Sequence, residues 1–122
     1  MKRDQGNEMK IESEEQQGTV VFRIEGRMDL SHVPLIDDHV RRYLEKGLRY
    51  FILNMVDVRD ISSSGIGKIL QLSRQLDDRG GRLVLADLSP VCEYVLDLAQ
   101  LSDVIPTYKT EAEAVNALRK TS

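Results

Sequence analysis

The apolar and polar positions of the chain divide it into short runs separated by turn residues. "MKIESEE" (9–15) and "TVVFRIEG" (19–26) are strand candidates on either side of Gln16-Gln17-Gly18, which reads as a hairpin turn. The second is rich in β-branched residues. Ser31 and Pro34 mark a helix start, because proline suits a first turn where its missing N–H is no loss. Val33, Ile36, Val40 and Leu44 then share one face of that helix, and Gly47 ends it. "RYFILNM" (49–55) has no polar alternation until Asn54, the pattern of a central strand covered on both sides. Ile52 and Leu53 should therefore both be buried, on opposite faces.

"DVRDISSSGIGKIL" (57–70) follows as a strand-to-helix connection and the start of a second helix, with Ile66, Ile69, Leu70, Ser73 and Leu76 on one stripe. Gly80-Gly81 stops it, and "RLVLA" (82–86) is another buried-strand candidate. Ser89-Pro90 opens a third helix, with Val91, Val95 and Leu98 expected inward. "DVIPTY" (103–108) can supply only a short strand, since Pro106 donates nothing to a ladder. "TEAEAVNALRK" (110–120) begins with Thr110 and Glu113 at capping-box spacing. The order β-β-α-β-α-β-α-β-α predicts a single α/β domain with a mixed, mostly parallel sheet and about four helices. Residues 1–8 are expected to be disordered, and residues 9–119 to form the domain.

A length of 122 residues suits one hydrophobic core. The net charge of −3 and the scattered basic residues argue against direct nucleic-acid contact. No apolar run approaches the roughly 20 residues of a membrane span, and the N-terminus lacks the apolar core of a secretory signal. Cys92 is the single cysteine, which fits a reducing cytoplasm and plain packing. A monomer is expected.

The serines and glycines at the mouth of the second helix need an explanation, because both residue types weaken a helix. A phosphate-binding loop would need glycine at Ser62 and a hydroxyl at Ile69; a dinucleotide fingerprint would need glycine at Leu70. No hydrolase elbow is present. His32 and His39, both on the first helix, supply no evident base for a serine nucleophile. The two histidines and Cys92 lie in different elements and show no metal-ligand spacing. Catalysis, metal and cofactor are therefore not expected. Two readings of the serines remain. One serine caps the helix and the others fill the loop; or the serines are acted upon, at a helix N-terminus whose free N–H groups and dipole accommodate a phosphate. In the second reading Gly65 and Gly67 clear the first turn for another protein's surface.

"SSSGIG" (62–67) resembles the D-S-[ST]-G-[LIV]-G signature of the STAS family, in particular the bacterial anti-sigma factor antagonists. "GRMDL" (26–30) is similar to that family's G-x-[LIV]-D after the second strand, and "FILNM" to its third strand. "GGRLVLADLSPVCEYVLDLAQL" (80–101) is similar to its fourth strand and the helix that follows. The resemblance covers residues 9–119 and departs from the signature at Ser62, where the family usually has aspartate. It implies that an anti-sigma factor, itself a serine kinase, phosphorylates Ser63, with Ser64 or Ser62 as the less favoured registers. It further implies that the unphosphorylated form binds that factor and frees a sigma factor, and that a PP2C-type phosphatase resets the switch. The implied partner surface is Asp29, Ser62, Ser63, Ser64, Gly65, Ile66 and Gly67. The alternative is a non-switching STAS scaffold or a subunit of a larger complex.

Overall fold

Gln17 and Gly18 both take positive φ, 56° and 85°. That is the two-residue turn whose twist matches a right-handed hairpin. Strand β1 (Met9–Gln16) accordingly returns antiparallel along β2 (Thr19–Met28). The computed structural model describes residues 8–121. Most of the stretch expected to be disordered thus lies outside the described residues. Glu8 is inside them, and its carbonyl accepts a hydrogen bond from the Arg27 N–H at 3.3 Å.

After β2 come α1 (Val33–Glu45), β3 (Tyr50–Ile61), α2 (Ser63–Asp78), β4 (Arg82–Ala86) and α3 (Pro90–Leu98). A 3-10 turn (Leu101–Asp103), the two-residue β5 (Thr107–Tyr108) and α4 (Glu111–Thr121) are the remaining elements of the described residues. The strands lie in the order β1-β2-β3-β4-β5, antiparallel at the hairpin and parallel elsewhere. The predicted mixed α/β sheet with four helices is the observed fold. Pro34 does sit in the first turn of α1, and Gly47, at φ 89°, ends it.

The sheet separates two apolar layers of unequal size. Helices α1, α2 and α3 cover one face, where Phe22, Phe51, Leu53, Met55, Ile36, Ile69, Leu72 and Leu76 pack. Phe22 is the hub, with ring centroids of Phe51, Tyr43 and His39 all within 5.9 Å. Among the described residues helix α4 alone covers part of the other face, placing Ala114 and Leu118 over Val21, Ile52 and Val84. Ile52 and Leu53 are both fully buried, in different layers, as a two-sided central strand requires.

Two expectations need correcting. Residues 57–61 are not a connection; β3 runs on to Ile61 and outlasts β4, which pairs only with Tyr50–Asn54. The polar letters of "DVRD" reflect its exposure where neither β4 nor α4 covers it. Pairing with β2 shifts register between Arg23 and Glu25 and again between Gly26 and Arg27, so β3 carries an extra residue at each place. Such bulges bend a strand and strengthen its twist. On α3 the inward residues are Cys92 and Leu96; Val91 and Val95 are half-buried and Leu98 is exposed. The serine cap fixes this rotation: the Ser89 hydroxyl donates to the Val58 carbonyl at 2.7 Å and accepts from the Cys92 N–H.

A polar clasp holds the start of α4. Arg23 on β2 donates through Nε and Nη2 to the two carboxylate oxygens of Glu111, at 2.9 and 2.8 Å. Asn54, buried on β3, donates to Glu111 at 2.9 Å and to Asp87 at 3.3 Å. The Thr110 hydroxyl accepts from the Glu113 N–H, which realises the capping half of the predicted box. Arg23 above all, with Asn54, holds the Glu111 carboxyl below its ordinary pKa against the opposing effect of burial. A carboxylate with a depressed folded pKa stabilises above its unfolded pKa, and that contribution is lost as pH falls through the folded value. Glu111→Gln is therefore expected to cost about 1 kcal/mol at neutral pH, given the partial exposure of the pair. The gap from the wild type should close below about pH 4.5. Urea melts at pH 7 and pH 3.5 measure it; an unchanged gap at the two pH values refutes it.

Candidate functional site

Helix α2 begins where the projecting end of β3 meets the end of β2. Ser62 is its N-cap, in extended conformation, and its hydroxyl oxygen accepts from the Gly65 N–H at 3.3 Å. The same residue is fastened to β2, since its N–H donates to the Met28 carbonyl at 3.0 Å and its hydroxyl contacts that oxygen at 3.4 Å. Ser63, the first helical residue, is exposed; Ser64 is half-buried. Their N–H groups precede the intrahelical ladder, which opens with Ile66 N–H donating to the Ser62 carbonyl.

The two glycines differ in purpose. Gly65 is buried, and a Cβ there would lie 2.5 Å from the Met28 carbonyl oxygen and 3.0 Å from the Ile61 and Met28 side chains. Its smallness serves the seat of α2 on β2, not access for another protein. A Cβ on Gly67 would meet nothing within 4 Å, so only this glycine leaves the open surface expected of both. Ile66 is half-buried against the main core.

Asp29 follows directly on Met28 and thus lies at the same end of the sheet as Ser62. Its carboxylate accepts from the Ser31 hydroxyl at 2.9 Å and lies 2.8 Å from His32 Nδ1 and 3.8 Å from Arg27 Nε. The Ser31 hydroxyl first, and then the His32 and Arg27 charges, hold Asp29 below its usual pKa, against the opposing effect of burial. Arg27 also reaches Asp60 on β3 at 3.3 Å, so Asp60 points across to β2. Leu30, 74% exposed, stands beside this cluster.

The sequence-derived residues Asp29, Ser62 and Gly65 therefore meet around Met28, and Ser63, Ser64, Ile66 and Gly67 form the turn above them. Sequence reasoning missed Met28, Arg27 and Asp60 as members of the cluster. A glycine at the third helical position was the available sign of a close backbone approach. Cys92 is fully buried, and burial pushes its thiol pKa up, away from reactivity. Among the described residues no group of three His, Cys, Asp or Glu could hold a metal, and no helix is long and apolar enough to cross a membrane.

The sheet and the capped serine–glycine turn lie within residues 10–114, which the STAS domain model matches. The chain belongs to the STAS-domain family. Among its relatives is the anti-sigma F factor antagonist of Paenibacillus polymyxa, 26% identical over 119 residues, covering 93% of this chain and 98% of the relative. An anti-sigma factor antagonist from Mycobacterium paratuberculosis shares the fold, with TM-score 0.82 at 18% identity over 93% of this chain and 96% of its own. The anti-sigma factor antagonist SpoIIAA in its unphosphorylated form superposes with TM-score 0.77 at 26% identity, covering 91% of this chain and 97% of that one. The Bacillus SpoIIAA in its phosphorylated form gives TM-score 0.69 at 27% identity, over 88% and 98%.

Proposed function

We propose that this chain is an anti-sigma factor antagonist, switched by phosphorylation of Ser63. Unphosphorylated, it binds an anti-sigma factor that is also a serine kinase, and so releases a sigma factor. Phosphorylated, it lets go, and a PP2C-type phosphatase restores it. The observation that carries the reading is Ser63 itself, exposed at the first position of a 16-residue helix. A phosphate there meets free N–H groups and the positive end of the helix dipole. The neighbouring serines are less suitable acceptors. The Ser62 hydroxyl is committed to the cap and to Met28, and Ser64 is half-buried. Relatives named as antagonists of anti-sigma factors, one with a phosphorylated form, support the same reading. Asp29, Ile66 and Gly67 complete the partner surface around the serines.

The direct test is incubation with the cognate ATPase-domain kinase and ATP, followed by mass spectrometry of the peptide spanning residues 60–68. Phosphate on Ser63 alone is the expected result. No phosphate on any of Ser62, Ser63 and Ser64 would make this a non-switching scaffold.

Ser62 stands where the family usually has aspartate, and both residue types are good N-caps. Ser62→Asp should consequently leave stability within about 0.5 kcal/mol. It also places a carboxylate beside the acceptor hydroxyl, so the phosphorylation rate should change more than the melting temperature. A time course of phosphate incorporation set against thermal melts decides the point.

A further inference from the structure

Helix α3 carries more apolar surface than the fold covers. Cys92 and Leu96 face the core. Val91, Tyr94, Val95 and Leu98, at i, i+3, i+4 and i+7, form a second stripe, of which Val91 and Val95 pack partly against the core while Tyr94 and Leu98 stand outside it. Tyr94 is 66% and Leu98 69% exposed, while Val91 and Val95 are half-buried. Val104, 62% exposed, follows the 3-10 turn packed against α3. A surface helix normally shows a polar outer face, so an apolar one indicates a contact.

On α3 itself both charged side chains, Glu93 and Asp97, are acidic. From Leu83 to Tyr108 the chain has four carboxylates, Asp87, Glu93, Asp97 and Asp103, and no lysine, arginine or histidine. Glu93 and Asp97 border the stripe on its open side, next to Tyr94; Arg59 stands at its first turn, beside Pro90 and Val91, and Lys109 lines a cleft with Glu93, so carboxylates outnumber basic groups along this surface without excluding them. Two copies of α3 packed about a two-fold axis would set Glu93 and Asp97 of one against the same pair of the other. We infer that the outer face of α3 is a docking surface for a basic amphipathic helix of another protein. Its apolar side would cover Tyr94 and Leu98, and its lysines or arginines would meet Glu93 and Asp97. This surface is separate from the turn at Ser63 and does not depend on the switch.

The test uses a labelled synthetic helix of about five turns with a leucine face flanked by lysines. Its controls are the same helix with glutamates in place of lysines, and a scrambled lysine–leucine peptide of equal composition. Fluorescence anisotropy with the full chain should show binding of the first peptide only, weakened by salt. Tyr94→Ser/Leu98→Ser should lose about tenfold or more in affinity, as loss of central apolar anchors does. Glu93→Gln/Asp97→Asn should lose most of the salt dependence. All four positions have exposed side chains, so circular dichroism melts should match the wild type. Equal binding by the serine variant, or by the scrambled peptide, overturns the inference. So does sedimentation of the wild type as a dimer that the serine variant abolishes, which would make a second copy the occupant.

Discussion

Ser63→Asp is expected to lose most of its affinity for the anti-sigma factor while melting within a few degrees of the wild type. The two halves of that result have different causes. Within the free domain a negative charge at the first helical position is favoured by the dipole and the free N–H groups, so it does not strain the fold. In a complex the same charge must leave water, and a desolvated, unpaired charge costs several kcal/mol. Each 1.4 kcal/mol is a factor of ten, so affinity falls by orders of magnitude. A phosphate, with about −1.5 to −2 charge, should act more strongly still. Ser63→Ala should keep both fold and binding and be locked on. Calorimetric titration of the three proteins against the kinase measures this, and wild-type affinity in Ser63→Asp would sink the switch.

Adding one methyl group to each glycine of the turn should give effects of opposite sign. At Gly65 the new Cβ would sit 2.5 Å from the Met28 carbonyl oxygen, a backbone atom that cannot swing aside. Overpacking of this kind costs about 1–3 kcal/mol, and the strain falls on the cap and on the seat of α2. At Gly67 the space is open and the residue lies inside the helix. There alanine should stabilise by about 0.5–1 kcal/mol through propensity alone. Chemical denaturation of the two variants reads the stabilities directly. If Gly67→Ala is also more stable yet binds the anti-sigma factor less tightly, the glycine is kept for the partner's approach. A stabilised Gly65→Ala would contradict the packing described here.

Where one physical effect dominated, the sequence was legible. "RYFILNM" has apolar residues on both sides of the pleat, and no other environment suits that pattern. The hairpin, the proline start of α1 and the Thr110 cap of α4 rest on local backbone chemistry, which needs no knowledge of neighbours. The misreadings came where neighbours decide. "DVRD" looks like a loop because three of its four side chains are polar and exposed, yet its backbone pairs with β2 and its Val58 is buried beside the start of α3. On α3 two apolar stripes compete, and the choice was made by Ser89 gripping Val58 on another strand. The serine cluster was found from its composition, but the division of labour among its members was not. Only the position of Met28 separates a capping serine from an exposed one, and a packing glycine from an open one.

Ser62 and Gly65 both rest on the Met28 carbonyl, and this has a consequence for how a signal could be passed on. Allosteric transmission needs an element with two arrangements whose balance the effector tilts. A helix start bolted to a neighbouring strand through a backbone oxygen offers a single arrangement. A phosphate on Ser63 would therefore be read where it is written, by whatever touches that turn. The coupling free energy from Ser63 to the outer face of α3 should be near zero. One small domain could then hold a revocable contact and a permanent one side by side, each blind to the other.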